Sequence, residues 1–121
     1  MNDYYKKHVA NVHSNGWSLE YIPDHHLTTE ICMAAVSNVG YAIRYVPKRL
    51  LTPEICIAAV TKTGDALKYV PEHLRTPEIC MAAVASDNLF AIGYVKDEQL
   101  KQMLAALYNI DVNNTLTLLR K

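Results

Sequence analysis

The chain has 121 residues, and half of them are hydrophobic, which is enough to bury one core and argues against disorder. Twelve basic residues balance twelve acidic ones, so the chain lacks the basic excess that is typical of nucleic-acid-binding proteins. The polar N-terminus, the absence of an apolar run near the roughly 20 residues that span a bilayer, and an odd number of cysteines predict a cytoplasmic protein without disulfides.

A sequence motif of 24 residues is repeated along the chain. Its first half reads TTEICMAAV at 28–36, TPEICIAAV at 52–60 and TPEICMAAV at 76–84. Its second half reads GYAIRYVP at 40–47 and GDALKYVP at 64–71. A fixed period of this size is typical of stacked units, each too small to bury its apolar face alone.

Each unit has the pattern of two helices joined by a turn. In the middle unit, Thr52 is a good N-cap, Pro53 suits the first helical position, and Glu54 places a negative charge at the positive end of the helix dipole. Apolar residues at helical spacing follow, and Gly64 is expected to end or bend this helix. A second, shorter helix is predicted to stop at Pro71.

We therefore predict one all-α domain over residues 1–121, built as a short α-solenoid of about four helix–turn–helix units with a C-terminal capping helix. The predicted segments are a degenerate first unit at 2–27, units at 28–51, 52–75 and 76–96, and a cap at 97–121. One extra residue enters the last unit near positions 88–90. Asp97 should cap the terminal helix, and Asn113 or Asn114 should start a last short turn. The degenerate ends suggest a complete small protein.

The unit TPEICxAAV followed by GxALxYVP resembles a tandem helical repeat of bacteria and protists that is known as a domain of unknown function. The resemblance covers about residues 16–95 and departs from the pattern at Thr29, where proline is expected, and at 88–96. It implies stacked helical repeats, often present in many copies along larger proteins. It supplies no activity, cofactor or catalytic residue.

The rows of recurring residues are best explained by structure. Cys32, Cys56 and Cys80 are predicted to be small buried residues, because metal sites favour paired ligands such as C-x-x-C and because neighbouring units are too far apart for a disulfide. Glu30, Glu54 and Glu78 match the helix dipole. The tyrosines that recur at one position should pack in the core; they are Tyr21, Tyr45, Tyr69 and Tyr94.

Two adjacent histidines stand in the first loop. His25 and His26 lie between Asp24 and Glu30, so a metal site or an acid–base pair is conceivable there. A solvated loop is the favoured interpretation, because adjacent side chains point in different directions and no third ligand stands at helical spacing.

Residues that differ between otherwise similar units are the candidates for function, since stacking does not require them and they should face water. In each unit, these variable positions are the one directly after the turn glycine, the one three residues further on, and those in the following loop. Exposed Trp, Tyr and Arg often anchor protein interfaces. The candidate partner-binding residues are Trp17, Tyr41, Arg44, Lys48, Arg49, Asp65 and Lys68.

The sequence therefore favours a non-catalytic module that binds another protein, in its most concrete form a bacterial immunity protein that blocks a toxin. The alternative is a structural or adaptor repeat protein within a larger assembly. A small metal-dependent enzyme is less favoured, and so is a nucleic-acid binder, because Asp65 and Glu72 interrupt the basic row. The sequence assigns no catalytic residue, cofactor or metal ligand.

Overall fold

The structure is a computed structural model that describes residues 3–110, apart from the side chains of residues 3, 88 and 89. The α-helices are α1 (Asp3–Ser14), α2 (Thr29–Asn38), α3 (Pro53–Lys62), α4 (Pro77–Ser86), α5 (Asn88–Ala91) and α6 (Glu98–Leu107). The predicted all-α solenoid is confirmed, and residues 3–110 contain no strand. The turn predicted at Asn113 or Asn114 lies outside the described residues. Within residues 3–110, no helix has both the length and the apolar character that crossing a membrane requires.

Threonine caps begin the first helix of each regular unit, as predicted. The hydroxyl oxygens of Thr28, Thr52 and Thr76 each accept a hydrogen bond from the backbone N–H three residues later, at 3.2, 3.3 and 3.3 Å. Asp97 caps α6 in the same way, 3.0 Å from the nitrogen of Leu100. These side chains satisfy backbone donors that the first turn of a helix leaves without partners.

The second helix of each of the first three units is a 3₁₀-helix. Ala42 donates to the carbonyl of Val39 at 3.0 Å, and Ala66 donates to that of Thr63 at 2.9 Å, which is the three-residue pattern. The long 3₁₀-helices are Gly16–Tyr21, Gly40–Tyr45 and Gly64–Tyr69, each followed by a short 3₁₀ turn at Asp24–His26, Lys48–Leu50 and Glu72–Leu74. Because residues three apart eclipse one another in this helix, Tyr41 and Arg44 share one side of it.

The turn glycines have a different role from the one predicted for Gly64. α3 ends at Lys62, before Gly64, and none of the glycines in residues 3–110 has a positive φ. A Cβ on Gly64 would instead lie 2.3 Å from the carbonyl oxygen of Ala83, and one on Gly40 would lie 2.5 Å from that of Ala59. Each glycine therefore lets its 3₁₀-helix lie directly against the first helix of the following unit.

The core is a row of equivalent side chains from successive units. Ile55, Cys56, Ala59 and Val60 of α3 are fully buried, and their counterparts in α2 and α4 are buried too. α1 packs on α2, α2 on α3 and α3 on α4, so the row is continuous across the units. Burial of the three free cysteines is confirmed, and it raises the pKa of the Cys56 thiol to about 11.

The extra residue in the last unit changes its local structure. α5, a single α-helical turn, takes the place of the beginning of a long 3₁₀-helix, and only Ile92–Tyr94 keeps the 3₁₀ form. Arg75 stands where the earlier units have leucine, and its guanidinium group donates to the carbonyls of Val70, Tyr94 and Lys68 at 2.7, 3.1 and 3.3 Å. This side chain ties the third unit to the irregular fourth one.

Candidate protein-binding surface

Five of the seven predicted partner-binding residues lie together on the 3₁₀-helices of the first three units. The three-residue period places the residue after the glycine and the residue three positions later on one side of each helix. Two half-buried tyrosines join them. We call this group the aromatic–cation cluster; its members are Trp17, Tyr41, Arg44, Tyr45, Asp65, Lys68 and Tyr69.

The aromatic rings of the cluster contact one another across the unit boundaries. Trp17 stacks on Tyr41 with ring centroids 6.3 Å apart and 20° between the planes, and it meets Tyr45 edge-on at 6.3 Å. Tyr41 meets Tyr69 edge-on at 6.1 Å. Both geometries are favourable for aromatic pairs. Trp17 nevertheless keeps 39% of its surface exposed, so the rings are held in place and still reach solvent.

Two cations occupy the faces of these rings. The guanidinium carbon of Arg44 lies 5.3 Å from the ring centroids of both Tyr45 and Tyr69. The ammonium group of Lys68 lies 5.5 Å from the centroid of Tyr41 and 5.4 Å from that of Tyr69. All four distances fall within the range of cation–π attraction. Arg44 and Lys68 occupy the same position in neighbouring units; Arg44 is exposed, and 34% of the Lys68 side chain is exposed.

Asp65 lies inside the cluster, and the prediction that this residue faces water is wrong. Its side chain is only 15% exposed, because it accepts a hydrogen bond from the hydroxyl of Tyr41 at 2.5 Å and pairs with Lys68 at 3.2 Å. The hydrogen bond to Asp65, together with burial, raises the pKa of Tyr41 to about 12. Burial disfavours the charged form of Lys68, but the hydrogen bond and charge of Asp65 outweigh it and raise the pKa of Lys68.

Lys48 and Arg49 lie apart from the cluster, on the short 3₁₀ turn that follows it. The guanidinium group of Arg49 donates to the backbone carbonyl of Asp24 at 2.7 Å and approaches the carboxylate of the same residue at 3.4 Å. Both side chains of this pair are largely exposed. Lys48 is exposed as well, and among the described residues no hydrogen bond, ion pair or ring contact joins either residue to the cluster.

The recurring tyrosines do not form one buried row. Tyr21 is 82% exposed, so the prediction that it packs in the core is wrong. Tyr45 and Tyr69 are half-buried and belong to the cluster, and Tyr94 is half-buried at the end of the stack. The signal for Tyr45 and Tyr69 was their position directly after the variable residues Arg44 and Lys68.

A second polar group joins α1 to the first short 3₁₀ turn. Nε2 of His8 lies 3.1 Å from Nδ1 of His26, and the rings of His25 and His26 meet edge-on at 4.3 Å. Burial, followed by the charges of His26 and Lys7, lowers the pKa of His8. His26 is half-buried, which differs from the solvated loop that we predicted. The signal was the alignment of His8 with the buried Cys32.

The histidines line a small pocket of about 220 Å³ together with Tyr4, Tyr5 and Thr28. Over residues 3–110, no group of three or more His, Cys, Asp or Glu side chains has a geometry that could hold a metal ion. The glutamates at the helix starts also stand apart from one another, in the first turns of α2, α3 and α4. The aromatic–cation cluster is therefore the strongest candidate for a functional surface.

The chain was compared with known proteins. A family model described as Domain of unknown function (DUF4116) matches it twice in tandem, at residues 11–51 and 52–101. The second match begins at Thr52, where a regular unit also begins. Neither the curated proteins nor the solved structures give a match. Since the two matches cover more than half of the chain, it belongs to the DUF4116 family, a domain of unknown function.

Proposed function

We propose that this protein is a non-catalytic module that binds another protein through the aromatic–cation cluster. The observation that carries this proposal is the ordered contact of Trp17 with Tyr41, and of Arg44 with Tyr45 and Tyr69, on one half-exposed surface. Trp, Tyr and Arg dominate the binding energy of known interfaces. Here they come from successive units, which is how repeat proteins build extended binding surfaces.

The geometry also reduces the entropic cost of binding. Rings and cations that already contact one another lose little rotamer freedom when a partner covers them, whereas a free side chain costs roughly 0.5–1.5 kcal/mol to immobilise. The deeply buried core beneath the cluster, including Ile43 and Leu67, holds the 3₁₀-helices in place. The surface is therefore largely preorganised.

The concrete form of the proposal is an inhibitor in the bacterial cytoplasm, such as an immunity protein that blocks a protein toxin. Inhibition by occlusion needs a complementary surface of about 800 Å² on each partner and no chemistry from the inhibitor. A row of units that presents aromatic and cationic side chains can supply such a surface. An adaptor role in a larger assembly uses the same surface with several partners, and the experiment below separates the two.

The proposal is tested by affinity capture from the producing cell with the parent protein and the variant Trp17→Ala. Met81→Ala is the matched control, because Met81 is 45% exposed and lies on α4, outside the cluster. We expect Trp17→Ala to stay folded and to weaken binding of the captured protein by at least about 1–2 kcal/mol, as hot-spot substitutions do, while Met81→Ala binds like the parent.

The identity and number of captured proteins decide the form of the function. One tight partner whose toxic activity disappears on binding supports the inhibitor, and several weaker partners support the adaptor. If Trp17→Ala captures the same proteins with the parent's affinity, the cluster is not the binding surface and the proposal fails.

A further inference from the structure

We infer that the partner binds the aromatic–cation cluster with a short acidic segment; this inference rests on the proposed function. Two carboxylates of the segment bind Arg44 and Lys68, which lie in neighbouring units.

Arg44 is the clearest binding group. Its guanidinium group lies against two tyrosine rings, and its side chain is exposed. Among the residues that the structure describes, no carboxylate lies within ion-pair distance of it. A guanidinium group presents its N–H donors in a planar fork that matches a carboxylate with two hydrogen bonds. The two rings hold this fork in place before the partner arrives.

Lys68 provides a second positive group in the next unit. Its ammonium group has three donors and lies 3.2 Å from Asp65, whose carboxylate also accepts the hydroxyl of Tyr41. Asp65 therefore orients Lys68 and offsets only one of the two positive charges of the cluster. The charges of Arg44, Lys68 and Asp65 leave the cluster net positive, although the whole chain is neutral.

The spacing of the two cations defines the segment that fits them. The guanidinium carbon of Arg44 and the ammonium nitrogen of Lys68 lie 5.3 and 5.4 Å from the same ring centroid of Tyr69, so the two cations are no further apart than these two distances together. Successive side chains of an extended chain point to opposite sides, so two carboxylates that face the same surface stand two residues apart and about 7 Å from each other along the backbone, and the flexible side chains extend that reach. A short acidic segment can therefore reach Arg44 and Lys68 together.

The ring faces favour an acidic protein over a nucleic acid. Single-stranded nucleic acids bind by stacking their bases on free aromatic faces. In the cluster, Trp17 and Lys68 lie against Tyr41, and the two cations Arg44 and Lys68 lie over Tyr69. These rings have little face left for a base. The cations above them remain available to a carboxylate.

The test is a titration of the full chain with four synthetic probes. Binding is measured by the fluorescence of Trp17, the only tryptophan in the sequence. The probes are a short peptide with two glutamates two residues apart, the same peptide with glutamine or with lysine at those positions, and oligothymidylate. We expect the diglutamate peptide to bind most tightly. Arg44→Ala should reduce its affinity about tenfold, whereas Lys62→Ala, an exposed cation at the end of α3, should not.

Three results would overturn the inference: tighter binding of any other probe than of the diglutamate peptide, binding of none of the four, or equal binding of the diglutamate peptide by Arg44→Ala and the parent. Circular dichroism of both variants confirms that they are folded. The two proposals fail separately. If Trp17→Ala loses the captured protein while the diglutamate peptide shows no preference, only the acidic partner is wrong.

Discussion

The first three units and the last unit of the stack differ in the residue that begins their second helix. Gly16, Gly40 and Gly64 each face the carbonyl oxygen of an alanine in the following unit, at distances that leave no room for a Cβ. The next position in this series is Asn88, and α5 begins there. Glycine thus occurs where the first helix of another unit packs on the 3₁₀-helix, and the series ends at α5, after which α6 follows in place of another unit.

A glycine can recur in a repeat protein for two reasons: its own unit requires it, or the neighbouring unit does. A glycine that caps a helix is needed for its own unit, because it adopts a conformation that other residues avoid. The glycines here have ordinary backbone angles and are needed for the neighbouring unit. The recurrence of these glycines is therefore determined by contacts between units.

The largest effect should come from filling one of these contacts. The Cβ introduced by Gly40→Ala would lie 2.5 Å from the carbonyl oxygen of Ala59 and 2.7 Å from Thr63, so α3 must move away. We expect a loss of about 3 kcal/mol or more in the free energy of unfolding, measured by urea denaturation. Asn88→Gly is the counterpart at the end of the stack, and it should change stability by less than about 1 kcal/mol. Equal effects of the two substitutions would contradict the comparison.

A smaller loss is expected from the buried row of thiols. Cys56 is fully buried in an apolar environment, so Cys56→Ser places a hydroxyl there at a cost of about 1–3 kcal/mol. Because burial raises the pKa of Cys32 and of Cys56 to about 11, the native protein should react only slowly with a thiol reagent at mildly alkaline pH, and unfolding should accelerate the reaction. Rapid modification of the native protein, or loss of function in a stable Cys56→Ser variant, would indicate a chemical role for the thiols.

The smallest effect concerns the N-terminal end and depends on pH. The pKa of His8 is lowered in the folded protein, so the unfolded chain binds this proton more readily. The corresponding stability is fully present above the ordinary value of 6.5 and is lost as the pH falls through the lower folded value. We expect the unfolding midpoint to decrease from neutral pH to about pH 5, and to decrease less in His8→Gln. Identical pH profiles of the two proteins would show that His8 does not couple to folding.

Much of the fold could be predicted from the sequence, because contacts that stabilise the stack recur in every unit. The threonine caps, the buried Ile55 and Cys56, and the terminal helix after Asp97 all follow from local rules that the repeat makes visible. The role of Gly64 could not be predicted, because its contact is with Ala83 in another unit. A single unit does not show which residues approach it from its neighbour.

The candidate site was predictable only in part, for the same reason. The variable positions identified Trp17, Tyr41 and Arg44, and the three-residue period of the 3₁₀-helix brings them to one surface. The burial of Asp65 depends on the hydroxyl of Tyr41, which reaches it from the preceding unit. The pair of His8 and His26 likewise joins residues from separate elements.

The claim that recurring residues hold the stack together while variable ones bind a partner is tested most directly by two adjacent positions. Ile43 is buried and has apolar counterparts in the other units, whereas Arg44 varies and is exposed. Urea unfolding of Ile43→Ala should show a loss of about 2–5 kcal/mol, and that of Arg44→Ala a loss below about 1 kcal/mol. Arg44→Ala should still weaken capture of the partner. A loss of stability in Arg44→Ala as large as that in Ile43→Ala, with capture unchanged, would contradict the account.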